Sequence, residues 1–175
     1  MLLIQNDLQF ERIFNEYWEI MYKSAFSRIR EQEVVEDLLQ EIFIDIWQRR
    51  TEITIQSTLK AYLLTAVKYR VLKYMDKARE KRAREIEGAD VPYLDVDVLG
   101  FEDLYHQLEV VIAKLPPRNR LVFQMSRLEG FSSDEIAEKL GISQQTVHNH
   151  LSKSLTYVRA EMKHLAPGFL LFINL

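Results

Sequence analysis

The stretch Ser132-Ser-Asp-Glu-Ile-Ala-Glu-Lys-Leu-Gly-Ile-Ser143, running on into Gln144-Gln-Thr-Val-His-Asn-His-Leu-Ser-Lys153, decides how the chain is read. Ser132 and Glu135 have the S-x-x-E spacing of a capping box, in which the Ser hydroxyl and the Glu carboxylate each accept from an otherwise unpaired helix amide. A short helix starts there and turns Ile136, Ala137 and Leu140 inward. Gly141 then permits a left-handed turn that a Cβ would resist, and Ile142-Ser143 leads into a second helix anchored by Val147 and Leu151. Small Ala137 lets the two helices cross closely. Two helices joined in this way form a helix-turn-helix.

At roughly 100° per residue from Val147, the opposite side of the second helix carries Gln145, His148, Asn149, Ser152 and Thr156, with Gln144 and Lys153 beside them. That side holds no acid. Gln and Asn can make bidentate contacts to adenine, while Ser, His and Lys reach base edges or phosphates in the major groove. A solvated helical hairpin is the plain alternative. Capping box, small residue, Gly turn and acid-free face coincide at the spacing DNA reading requires.

Upstream, Leu104, Leu108, Val111, Ile112 and Leu115 form a helical stripe that Pro116-Pro117 ends. Pro117 can open a further helix, with Leu121, Met125 and Leu128 inward and Gly130 as its stop. This makes a four-helix domain over 104–165. Before it, residues 88–103 hold Gly88, Pro92, Gly100 and several aspartates among scattered Val and Leu, and read as an acidic linker. After it, the apolar tail 166–175 is too short to span a bilayer and is expected to pack against the last helix, with a regulator contact as the alternative.

The N-terminal domain, 8–87, shows three helical stretches. Phe10, Ile13, Phe14, Tyr17, Ile20, Met21 and Ala25 recur at helical steps; Val35, Leu38, Leu39, Ile42, Phe43 and Ile46 form a second face. The β-branched run 51–58 reads as a loop, and a long third helix begins near Leu59. The expected fold class is all-α, two small helical domains joined by the acidic linker.

Composition agrees. Of 175 residues, 47% are hydrophobic and 28% charged, with only 5 Gly and 4 Pro, which excludes disordered, collagen-like and strand-and-turn chains. The absence of Cys excludes disulfides, thiol catalysis and thiolate zinc sites. Met1-Leu2-Leu3-Ile4 meets Gln5, Asn6 and Asp7 before a signal-peptide core can form, and no apolar run nears the roughly 20 residues of a membrane span, so a soluble cytoplasmic protein is expected.

The net charge of -3 hides a partition: residues 31–52 balance to -5, residues 60–84 to +7, and residues 110–175 to +3. On the second helix, Asp37, Gln40, Glu41, Ile44, Trp47 and Gln48 lie away from the apolar face. An exposed Ile and Trp among acids and amides suggests a protein-docking surface. On the third helix, Tyr62, Ala66, Tyr69, Lys73 and Lys77 form a stripe with Lys68 and Arg70 around it. Rings interleaved with cations suit single-stranded nucleic acid, with a snorkelling basic helix surface as the alternative.

Both domains resemble one family. Val35-Glu-Asp-Leu-Leu-Gln-Glu-Ile-Phe43, followed by Ile46-Trp47, looks like the core-polymerase-binding helix of bacterial sigma factors of the sigma-70 family. Leu115-Pro-Pro-Arg-Asn-Arg-Leu-Val-Phe123, then Glu129 to Ser143, resembles sigma region 4, which reads the −35 promoter element. With only regions 2 and 4 and a short acidic linker, the chain is similar to the extracytoplasmic-function group over residues 8–165.

The resemblance implies an alternative-sigma transcription initiation factor without catalysis of its own. Residues 8–87 would be the three-helix region 2 and 104–165 the four-helix region 4. Asp37, Gln40, Glu41, Ile44 and Trp47 would dock on the β′ clamp helices of core RNA polymerase, with the β flap as a further contact. Tyr62, Lys68, Tyr69, Arg70, Lys73 and Lys77, with loop 51–58, would open and hold the −10 element. Gln144, Gln145, His148, Asn149, Ser152 and Lys153 would read −35 DNA. The linker would thread toward the active-site channel. Promoter DNA and an anti-sigma factor, often membrane-bound, complete the implied partners; no cofactor, metal or small-molecule substrate is implied.

The alternative from the residues alone is an autonomous helix-turn-helix repressor or activator on a palindromic operator. An enzyme is the third class. His148 and His150, two apart on a helix, point to different sides and offer neither a metal pair nor a triad.

Overall fold

The computed structural model describes Ile4 and residues 6–87 and 100–163, with residues 83–87 described by backbone alone. Linker residues 88–99 and the tail 166–175 lie outside the described residues. Among the described residues there are seven α-helices, one π turn and no strand. The chain divides into two compact units, the first ending at Lys77 and the second starting at Ala78.

The first unit is built on α1 (Asp7–Phe26), α2 (Gln32–Gln48) and the beginning of α3 (Leu59–Glu87). Asn6 caps α1, its Oδ1 accepting from the Gln9 amide at 3.0 Å. α1 packs on α2 through an aromatic cluster: the Phe43 ring of α2 lies 4.8 Å from Phe14 and 6.1 Å from both Phe10 and Trp18. Val35, Leu38, Leu39, Ile42, Phe43 and Ile46 are all buried, the face expected for α2. Each such side chain contributes roughly 1.5–3 kcal/mol when fully buried.

α3 behaves differently along its length. Every residue from Ala61 to Val67 is buried, so its start is enclosed on all sides. Thr65 is accommodated there because its hydroxyl donates to the Ala61 carbonyl at 2.7 Å. Further on, Met75, Lys77, Ala78, Arg79, Lys81 and Arg82 are exposed, and the division between units falls on this uncovered part.

The second unit contains α4 (Phe101–Ala113), α5 (Pro117–Phe123), a π turn (Gln124–Leu128), α6 (Ser133–Leu140) and α7 (Gln144–Met162). α4, α5 and α6 all pack on α7. α4 starts at Phe101, inside the stretch read as linker. Glu102 and Asp103 in its first turn favour the positive end of the helix dipole, and the Phe101 ring lies 5.7 Å from Tyr105 one turn on.

Val122, Met125, Ile136, Val147 and Leu151 form the core, with Phe131, Ala137, Leu140 and Ile142 against it. Leu121, expected inward, is instead 39% exposed. The side of α5 facing α7 is the stripe Asn119, Val122, Met125, where Asn119 bonds a side chain of α7 and Val122 fills the core; Leu121 falls off that stripe.

Candidate nucleic-acid and polymerase interfaces

The helix-turn-helix forms as its sequence dictates. Ser132 Oγ accepts from the Glu135 amide at 3.2 Å, and the Ser132 amide donates to Glu135 Oε2 at 2.8 Å, closing the capping box. Gly141 takes φ +62° and ψ +39°, and beyond it the Ile142 amide donates to the Ala137 carbonyl at 3.1 Å. Ser143 then caps α7, accepting from the Thr146 amide at 3.1 Å. Each turn thus pairs the amides and carbonyls that two adjoining helices leave open.

On α7, Gln144, Gln145, His148, Asn149, Ser152 and Lys153 are all exposed. At 100° per residue they spread over about half the circumference of α7. Gln145 Nε2 donates to Asn149 Oδ1 at 3.2 Å, holding two amide side chains side by side, and the Gln144 side chain donates to Asp134 of α6.

Behind that surface sits a polar cluster that sequence reading missed. His150 Nδ1 lies 2.7 Å from Asn119 Oδ1 of α5, and the fully buried Ser154 hydroxyl donates to the His150 carbonyl at 2.8 Å. The His150–Asn119 contact, together with the Ser154 hydroxyl 3.4 Å from the Asn119 carbonyl, ties α7 to α5. The signal was Ser154 itself, a polar residue on the inward stripe Val147, Leu151, Ser154, Val158. Nearby in sequence, burial first and the charge of Arg159 second lower the Arg127 guanidinium from its ordinary value.

In the first unit, Asp37, Gln40, Glu41 and Ile44 are exposed along α2, with Ile44 at 55%. Trp47 corrects the expectation of an exposed ring. It is half-buried, because its indole packs against Phe10 of α1.

The aromatic stripe on α3 is also corrected. Tyr62 and Tyr69 are 1% and 3% exposed and belong to the core, since they project from the enclosed part of the helix; neither ring presents a stacking face. Lys68, Arg70 and Lys73 are half-buried and Lys77 is exposed. Lys73 Nζ lies 5.4 Å from the centroid of the Tyr69 ring. In the loop, Ile53 is 1% exposed and anchors residues 51–58, while Thr51, Thr54, Gln56 and Thr58 are exposed.

Acidic and basic side chains share one groove of about 360 Å³. Asp37 and Glu41 of α2 line it with Arg70, Lys73, Tyr74 and Lys77 of α3, alongside Val34 and Leu38. Arg70 Nη1 stands 3.4 Å from Glu41 Oε2. Among the described residues, no cluster of His, Asp or Glu could hold a metal ion, and no helix is long and apolar enough to cross a membrane.

A helix-turn-helix with an acid-free exposed face defines a DNA-binding protein. Residues 105–157 match the family "Sigma-70, region 4". Over most of its length the chain is similar to RNA polymerase sigma factor SigZ of Bacillus subtilis, 23% identical over 173 residues, covering 92% of this chain and 89% of that protein. ECF RNA polymerase sigma factor SigX of the same organism is 22% identical, covering 89% and 84%. ECF RNA polymerase sigma factor SigL of Mycobacterium tuberculosis is 23% identical, covering 87% and 88%. Among solved structures, sigma factor RpoE of Bartonella quintana, crystallised with the anti-sigma factor NepR, is 19% identical with a TM-score of 0.41, covering 89% of this chain and 97% of that one. Residues 105–157 are thus a sigma-70 region 4, and the likeness to extracytoplasmic-function sigma factors extends over most of the chain.

Proposed function

We propose that the chain is an alternative sigma factor that binds core RNA polymerase and directs it to a set of promoters, with α7 reading the −35 element and the first unit holding the −10 element. One observation carries this reading: the region 4 match over 105–157 coincides with a helix-turn-helix whose six candidate reading residues are all exposed.

Asp37, Gln40, Glu41 and Ile44 dock on the β′ clamp helices, with Trp47 supporting them from the α1 side, and the second unit meets the β flap. Lys68, Arg70, Lys73 and Lys77 hold −10 phosphates, and loop 51–58 receives an unpaired base. The acidic linker follows the path that RNA later takes. An anti-sigma factor, in this group often membrane-bound, masks the docking surface, and the protein works in the cytoplasm. With a net charge of -3 the free protein displaces few counterions, so DNA binding is weak until polymerase holds both units.

Run-off transcription with core polymerase over a library of genomic fragments tests the reading. Discrete start sites that need this protein and share paired −10 and −35 sequences are expected. Transcripts unchanged by its addition would refute it.

A further inference from the structure

We propose that Glu41 holds Arg70 away from DNA in the free protein, and that polymerase, by engaging Glu41, releases Arg70 to the −10 phosphates. This rests on the function proposed above. The pair joins two surfaces assigned to different partners: Glu41 belongs to the docking face of α2, Arg70 to the basic side of α3, and they meet at 3.4 Å across a single groove. Asp37 sits on the same wall as Glu41, while Lys73 and Lys77 share the wall of Arg70.

The electrostatics give the order of events. A phosphate entering this groove meets two carboxylates as well as three cations, and it competes with Glu41 for Arg70. A basic helical surface that takes up Asp37 and Glu41 removes both obstacles at once and leaves the groove positive. Arg70 has side-chain exposure of 36% and Glu41 of 65%, so the contact is solvent-screened and readily exchanged, as a switch requires. The coupling is reciprocal: DNA on Arg70 frees Glu41 for polymerase by the same factor. Two weakly bound partners thereby become mutually dependent.

The test is a double-mutant cycle on the full chain, reading the binding of a fluorescein-labelled oligothymidylate by anisotropy at low salt. Glu41→Gln should tighten binding about two- to fivefold, the range open to an exposed ion pair. In an Arg70→Ala background the same change should give only the small gain expected from the altered net charge. Glu33→Gln, which alters net charge equally from an exposed position outside the groove, should give a smaller gain. A gain that persists undiminished without Arg70, or that Glu33→Gln matches, overturns the proposal, as does no gain.

In the presence of core polymerase, the loss caused by Arg70→Ala should exceed its loss in the free protein; equal losses overturn the release step. Failure of the wild-type chain to bind core polymerase removes the sigma function and the release step together. The cycle on the free protein still reports separately whether Glu41 restrains Arg70.

Discussion

The ring of Trp47 lies 5.0 Å from that of Phe10 at an interplanar angle of 57°, and the Arg50 guanidinium lies 4.2 Å from the same indole. The residue that sequence reading grouped with Ile44 on a docking face therefore also ties α2 to α1. Trp47→Ala should lower the stability of the first unit by about 3 kcal/mol, the low end for a large aromatic that is only partly buried. Ile44→Ala should stay within about 0.5 kcal/mol of wild type yet weaken polymerase binding by about 1–2 kcal/mol. Urea denaturation beside polymerase binding separates the two roles. Equal effects on both measurements would contradict this division.

Gly141 sits at φ +62° with nothing within 4 Å of a built Cβ, so substitution there meets no neighbour and costs only backbone strain. Gly141→Ala should destabilise the second unit by about 1–2 kcal/mol. Ser132→Ala, which removes the hydroxyl of the capping box, should cost about 1 kcal/mol. Thermal unfolding checks both. A Gly141→Ala variant as stable as wild type would show that the turn does not need its left-handed residue.

The helix-turn-helix was legible because its signals are local: a cap, a left-handed glycine and a second cap within a dozen residues leave the backbone little choice. The apolar face of α2 was legible for the same kind of reason, a period shorter than the helix itself. The positions of Tyr62, Tyr69 and Trp47 were not. A Tyr or Trp has an apolar body and a polar edge, and whether the rest of the fold covers the body depends on tertiary packing, which periodicity does not encode. Leu121 was not legible either: Leu121 and Val122 both suit a stripe leading to Met125, and it is Val122 that enters the core.

That bond carries a prediction of its own. Asn119→Ala leaves the His150 ring without its partner on α5 and should cost about 1 kcal/mol. Because the contact orients the whole of α7, promoter binding should fall on every sequence alike. Binding to a set of −35 variants, ranked for wild type and for Asn119→Ala, checks this. A changed ranking would mean that Asn119 acts on base choice instead.

Two residues on the exposed face of α7 should separate base reading from phosphate attraction. Gln145→Ala should relax discrimination at one or two −35 positions by about 1–3 kcal/mol while leaving the rest unchanged. Lys153→Ala should weaken binding to all promoters and lower the salt slope by about one. Promoter competition across a salt series distinguishes them. Identical behaviour of the two variants would refute the assignment of separate roles.

The most direct test of the central claim is binding of the purified chain to core RNA polymerase, beside an Asp37→Lys/Gln40→Ala double variant of unchanged helix content. Both side chains are exposed on α2, so the fold should tolerate their loss. The account predicts tight binding by the wild type that the double variant loses. No binding by the wild type, under conditions where another sigma factor binds, would contradict it.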